Sequence, residues 1–407
     1  MGIEIRPIVP EEFDTFVTAT YIGFGAPVAP PEETANTKAL CEYDRTLAGF
    51  DGEEIVSTTG IFSFEMTVPG GSLPTAGVTW VSVKPTHRRQ GLLTNMMRQQ
   101  LSDIRDRNEP IAALWASESL IYGRFGYGLA AQCHALKIDR LRTKLAYEPP
   151  ANGRTRLISR DEALATWPKV YDKVLPGQPG MYSRSETWWK HHTLPEKERR
   201  GGRFGGRFYV VYEENGEPLG YARYRTREDD DNYAPAGVLG VQELMAATDS
   251  AYAGLWHYLF GVDLIGTIQA RLRRVDEPLY WMLADPRRLV RTPNDSLWVR
   301  VVDVPAALEA RRYASDVSLV IDVRDPFCGW TEGRYQLEGG PDGATCKRTD
   351  ASADITVNAA DLGAVYMGGT PLSLLARAGR VDGDPDALRR ADAAFGWTPQ
   401  PWTPEVF

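Results

Sequence analysis

The chain has 407 residues, 46 of them Lys or Arg and 54 Asp or Glu, so its net charge is −8. That length accommodates two or three independently buried cores, and the composition is that of a soluble globular protein. The acidic balance excludes a general nucleic-acid binder and favours cationic substrates.

Ile3–Ile8 alternates as a first strand, and Pro10-Glu11-Glu12 opens a helix with acids in its first turn. Tyr21–Glu33, rich in Gly, Pro and aromatics, reads as a loop. Strands follow at Arg45–Phe50, Glu54–Glu65 and Gly77–Val83, with turns at Asp51-Gly52-Glu53 and Pro69-Gly70-Gly71. The stretch Trp80–Leu93, WVSVKPTHRRQGLL, then passes from strand through a basic loop into a helix. Pro85 ends the strand, and Leu92, Leu93, Met96, Met97, Leu101 and Ile104 share one helical face.

A helix N-terminus presents unpaired N–H groups, Gly91 allows close backbone approach, and Arg88 and Arg89 can pair phosphate oxygens. The strand just before can hydrogen-bond an amide-bearing arm through a free edge. A pyrophosphate followed by two amides describes coenzyme A. The run Arg88-Arg89-Gln90-Gly91-Leu92-Leu93 resembles the acyl-CoA loop of GNAT acetyltransferases, with Leu93 replacing a small residue. Taken alone, the same residues also describe a basic loop capping an ordinary amphipathic helix.

Beyond this loop come an apolar strand, Ile111–Ala116, Ser117 as a cap, the helical Leu120–Gly126 and a strand Leu129–Ile138. Pro149–Gly153 marks a boundary. The second region begins with a helix Asp161–Val174, interrupted near Pro168, and another at Glu186–His192. Phe208–Tyr212 and Leu219–Tyr224 form a hairpin around Asn215-Gly216, and strand Val238–Leu244 precedes helix Ala251–Phe260. That strand-to-helix step echoes the opening one without its arginines. It describes either a second copy of the same architecture or an unrelated α+β domain. Arg199–Arg207 and the acids Glu228–Asp231 read as loops. The third region carries strands Leu297–Val302, Ser318–Val323, Gly333–Leu337 and Ile355–Val357, and helices from Val304, Ala359, Pro371 and Ala387. It ends in the proline-stiffened TPQPWTPEVF.

Four scattered cysteines form no Cys-x-x-Cys pair, and the five histidines show no metal spacing. Free thiols in a reducing compartment are expected, with no metal. The N-terminus has no apolar signal core and no stretch approaches a membrane span, so a cytoplasmic location is expected.

The whole chain resembles the enhanced intracellular survival (Eis) family of acetyltransferases. The matching runs are Leu73–Gly77, Val83–Leu93, Ala116-Ser117-Glu118, Ile121–Gly128, Leu297–Arg300 and Val304–Arg311, and the terminal Phe407 matches too. The resemblance implies an α+β protein: tandem GNAT-like mixed-sheet domains followed by a sterol-carrier-protein-like domain. The limits expected are 1–148, 149–290 and 291–407, and the family's assembly is a hexamer. It implies that Val81, Ser82, Val83 and Arg88, Arg89, Gln90, Gly91, Leu92, Leu93 and Thr94 hold acetyl-CoA, bordered by Ser117 and Glu118. Tyr122 would be the general acid; read from the residues alone it is a core partner of Phe125 and Tyr127. The α-carboxylate of Phe407 would be the general base, with a reference pKa of roughly 3.3–3.7 that burial would raise. The acceptor implied is a primary amine: an aminoglycoside, a polyamine or a lysine side chain. The acids expected for polycationic aminoglycosides are replaced by Gly23 and Val406, with Glu405 one residue away. The alternative is a non-catalytic CoA- or lipid-binding protein.

Overall fold

The computed structural model describes residues 2–27, 29–149, 152–196, 204–228 and 236–407. Most of Arg199–Arg207, the acids from Asp229 to Asp231 and the Pro150–Ala151 part of the expected boundary lie outside them. Contacts divide the chain into two units. One comprises Met1–Ala131, Pro179–Ser183 and Ser296–Phe407; the other comprises Gln132–Gln178 and Arg184–Asp295.

The first unit opens with β1 (Glu4–Arg6), helix α1 (Phe13–Phe24), helix α2 (Pro31–Leu40) and β2 (Leu47–Asp51). Then come a long hairpin of β3 (Glu54–Val68) and β4 (Gly71–Val83), helix α3 (Leu92–Asp106), β5 (Ile111–Leu114), the short α4 (Ser119–Tyr122) and β6 (Gly128–Leu129). The expected loop at Tyr21–Glu33 is helical at both ends, with a connection at 25–27 and 29–30 between them. Gly25 takes the left-handed C-cap of α1 at φ 66°, and Pro31 starts α2, so the Gly and Pro are helix punctuation.

The strand expected at Leu129–Ile138 divides between sheets. Gly128–Leu129 stays in the first sheet, whereas β7 (Gln132–Asp139) pairs in the second unit. That unit continues through β8 (Arg154–Ile158), α5 (Arg160–Val174), α6 (Glu186–Trp188), β9 (Arg207–Glu214), β10 (Glu217–Arg227), β11 (Gly237–Ala246), α7 (Asp249–Phe260), β12 (Ile265–Arg273), α8 (Leu279–Met282) and β13 (Val290–Asp295). Its sheet order is β13-β7-β12-β11-β10-β9-β8, with β11 and β12 parallel across α7. α5 runs uninterrupted through Pro168, because Trp167, Val170 and Tyr171 are buried and hold its face.

The chain returns to the first unit at Ser296, whose N–H donates to the Ala131 carbonyl at 3.1 Å. Strand β14 (Trp298–Val301) then inserts between β5 and β6, giving the order β1-β2-β3-β4-β5-β14-β6. It was expected in the third region, but strand propensity does not say which sheet a strand joins. The remaining elements are α9 (Val304–Ala310), β15 (Val317–Arg324), β16 (Gly333–Gly340), β17 (Gly343–Arg348), β18 (Ile355–Asn358), α10 (Ala359–Tyr366), α11 (Leu372–Arg377), β19 (Asp382–Gly383) and α12 (Pro385–Phe395). Their sheet has the order β17-β16-β15-β18-β19.

Helix α10 lies directly on β6 and β14 because two glycines let backbones touch. A Cβ on Gly128 would sit 1.8 Å from the Ala360 carbonyl oxygen, and one on Gly363 would sit 2.1 Å from that of Val299. Fully buried Arg300 on β14 pairs with fully buried Asp325, which also accepts from Thr331. A lone buried charge would be costly, so the carboxylate compensates the guanidinium there. After α12 the tail is extended. Trp402 N–H donates to Pro179 O at 2.9 Å, and Thr67 N–H on β3 to Met181 O at 2.8 Å, so Pro179–Ser183 lies between tail and hairpin.

Gly128→Ala cannot be absorbed by a flexible neighbour and should destabilise the fold by about 3 kcal/mol or more. Gly177→Ala, which meets nothing within 4 Å, is the control. Equal melting temperatures for the two variants would contradict the close approach of α10.

Candidate active site

The central feature of the first sheet is where β4 leaves β5. The two strands run parallel and pair only from Thr75–Gly77 to Ile111–Ala113. β4 continues for six residues to Val83 along β3, with no strand on its other side among the described residues. A bulge accompanies the parting: Trp80 and Val81 oppose Thr59 alone, and Trp80 takes φ 54°. Its indole lies over Gly60, where a Cβ would be 2.5 Å from the ring, and meets Phe62 edge-on at 5.0 Å.

A cleft of about 610 Å³ opens beside this free edge. Its lining includes Val81, Ser82, Val83, Arg88, Arg89, Gly91, Leu92, Leu93, Thr94, Ser117, Glu118 and Tyr122. Gln90 is exposed and not among the lining residues, and neither is Phe407. Gly23, Phe24, His87, Ile121 and Arg124 also line it. Gly23 was expected in a loop, as the place of a missing acceptor-binding acid, and Arg124 lacked any spacing that marks a ligand. Leu93, expected in the core, is half-buried at the cleft, while Leu92, Met96, Met97, Leu101 and Ile104 are buried.

The floor of the loop suits an anion. α3 has no side chain capping its N-terminus and no acid in its first turn. Its first helical bond is Asn95 N–H to Gly91 O at 3.0 Å, so the amides before Asn95 have no partner in the helix. Arg89 and Gly91 are both left-handed, at φ 64° and 82°, and a Cβ on Gly91 would meet nothing within 4 Å. The comparable helix of the second unit differs. Thr248 caps α7 by accepting from Ala251 N–H, and Asp249 stands in its first turn, so that end is already satisfied.

Tyr122 closes the inner end. It is 4 % exposed, and its ring meets Tyr127 edge-on at 6.0 Å. Burial pushes its phenol up to about 12, while a hydrogen bond with the Ser117 side chain pulls the other way. The residue before α4 is Glu118, so Ser117 serves this phenol and does not cap the helix.

Phe407 lies elsewhere in the same unit. Its ring stands 5.0 Å from Phe64, 5.5 Å from Tyr182 and 6.5 Å from Phe62. A Cβ on Gly77 would be 3.2 Å from it, and Gly77 is the last residue of β4 paired to β5. The tail therefore ends at the point where the strands part. Val81 is four residues further along, about 13 Å of strand.

Two family models described as "Acetyltransferase (GNAT) domain" match residues 4–130 and 180–301, and one described as "Sterol carrier protein domain" matches 304–404. An uncharacterized N-acetyltransferase of Streptomyces avermitilis is 42% identical over all of both chains. The N-acetyltransferase Eis of Mycobacterium tuberculosis is 37% identical over 90% of each chain. This chain belongs to the Eis family of GNAT N-acetyltransferases. The crystal structure of Eis1 from Mycobacterium abscessus superposes with a TM-score of 0.84 at 31% identity, covering 99% of this chain and 100% of that one.

An Eis-family member is an acetyltransferase, which sets aside the non-catalytic alternative, and its GNAT fold implies use of acetyl-CoA. The uncapped amides, the open space at Gly91 and the free edge of β4 fit that compound. Among the described residues no group of three His, Cys, Asp or Glu is placed to hold a metal, and no helix is long and apolar enough to cross a membrane.

Gly91→Ala forces a side chain into a left-handed position and puts a methyl in the cleft. The dissociation constant for CoA should rise about tenfold, with the melting temperature lowered only by the left-handed strain. Unaltered affinity in a titration would show that no ligand group approaches this backbone.

Proposed function

We propose that this protein transfers the acetyl group of acetyl-CoA to a primary amine by direct attack, with Tyr122 as general acid and the Phe407 carboxylate as general base. The observation that carries the reading is the seat of Phe407 beside Gly77, where β4 parts from β5. A chain terminus held there brings a carboxylate toward the strand whose next residues line the cleft.

Acetyl-CoA supplies an activated acetyl thioester. An amine attacks only when neutral, and lysine-like amines have pKa values near ~10, so a base must take a proton. The Phe407 carboxylate has that role. Val81, Ser82 and Val83 hold the pantetheine amides through the free edge, with the acetyl end directed along β4 toward Gly77. Arg89, Gly91, Leu92, Leu93 and Thr94 hold the pyrophosphate, with Ser117 and Glu118 at the border. Tyr122 keeps its proton at any working pH and delivers it to the departing thiolate. Burial in the same cleft raises the thiol's own affinity for a proton above its reference of about 8.5, which narrows the gap to the phenol.

The acceptor is an aminoglycoside, a polyamine or a lysine-type amine. Gly23 belongs to α1 rather than to a loop, and a Cβ there would be 2.5 Å from Ser82 Oγ. An acid at this position would collide with the strand, so Gly23 serves packing. Val406 is 46% exposed and Glu405 is 2% exposed, so the acid nearest the terminus is buried. Hexamer assembly belongs to this proposal through the family, and the cytoplasmic location expected from the sequence stays part of it.

Adding a few residues after Phe407 should abolish turnover while CoA binding persists; full activity of the extended chain would end the base assignment. Tyr122→Phe should lower kcat about a hundredfold with KM for acetyl-CoA nearly constant. Because the phenol's pKa is about 12, the wild-type rate should show no loss from its ionisation below pH about 10. A kcat unchanged in Tyr122→Phe would remove Tyr122 from the chemistry.

A further inference from the structure

Coenzyme A carries two anionic groups, the pyrophosphate and the 3′-phosphate, and the α3 N-terminus accounts for one. Three arginines line the cleft, Arg88, Arg89 and Arg124, against the single carboxylate of Glu118. They are not equivalent.

Arg88 is already engaged. Its Nη2 donates to Gly23 O at 2.8 Å and its Nε to Val83 O at 3.3 Å. Gly23 lies in the last turn of α1, where carbonyls lack helical partners and a cation is favoured. Arg88 thus ties that helix to the end of β4. Arg89 immediately precedes the loop amides and belongs with the pyrophosphate.

Arg124 approaches from the other wall. It follows Tyr122 by two residues; Tyr122 is buried and Arg124 is exposed, so this short segment runs from the floor of the cleft to its mouth. Its Nε–H donates to Ile121 O at 3.3 Å, and its guanidinium carbon lies 5.3 Å from the centre of the Phe125 ring. These contacts steady the group and leave both terminal nitrogens for a ligand. Among the described residues Arg124 makes no ion pair with any carboxylate. A planar, steadied fork of N–H donors is the chemistry that recognises a phosphate monoester.

We propose that Arg124 recognises the 3′-phosphate of coenzyme A, given the reading of the cleft as the CoA site. Arg88 is then a positioning residue, and Arg89 and Arg124 divide the two anionic groups.

Calorimetric titration of the wild type, R124Q and R124K with CoA and with 3′-dephospho-CoA tests this without recourse to turnover. The wild type should bind CoA about tenfold more tightly than dephospho-CoA, and R124Q should lose about tenfold for CoA while keeping its affinity for dephospho-CoA. R124K, which keeps the charge but not the fork, should recover part of the loss. Equal weakening of both ligands in R124Q, or a wild type without preference between them, would overturn the assignment of Arg124 alone. A wild type that binds neither compound would overturn the CoA reading of the cleft, and this assignment with it.

Discussion

Two parallel strands that stay together for three residues and then separate create the site. Past Gly77, β4 pairs with no strand but β3 among the described residues, so its other edge faces a cleft from Val81 to Val83. An unpaired edge inside a folded protein is normally covered or blunted. Here the bulge at Trp80 turns it, and helix α3 starts beside it with its own amides unmet. Strand edge and helix end together offer hydrogen-bond donors for amides and for a phosphate along one path. Neither element would suffice alone: an edge without the helix has no anion site, and α7 shows how a cap removes one.

The parting has to be held open, and distant residues contribute to that. β5 is fixed on its far side by β14, four antiparallel pairs from Trp298↔Leu114 to Val301↔Ile111. β14 is anchored in turn by Arg300 and Asp325 and by α10 lying on bare glycine backbone. The strand that completes this sheet thus precedes the sterol-carrier match at 304–404, which supplies the helix α10 lying on it and the tail that returns to the same sheet at Gly77. The contacts group both in one unit, although more than 160 residues separate β6 from β14 in sequence.

Local chemistry was legible in the sequence where it is written in consecutive residues. Of the strand, basic loop and helix in Trp80–Leu93, Val81–Val83, His87–Arg89 and Gly91–Leu93 line one cleft, while Gln90 is exposed and outside it. Helical punctuation was misread where it imitates a loop: Gly25 and Pro31 bound two helices rather than filling one connection. Pairing between remote strands was not legible, since Trp298–Val301 and Gln132–Asp139 look alike as strands and join different sheets. Arg124 was missed for a further reason. Its place comes from what faces it across a cleft, and no periodicity records that.

The central claim is that the last residue of the chain meets the acceptor where β4 leaves β5. A crystal structure with CoA and an amine acceptor bound tests it most directly. The Phe407 carboxylate should lie within hydrogen-bond reach of the acceptor nitrogen, about 2.6–3.2 Å or through one water, with the pyrophosphate on the amides at the start of α3. A carboxylate turned to solvent, away from a fully ordered acceptor, would contradict it.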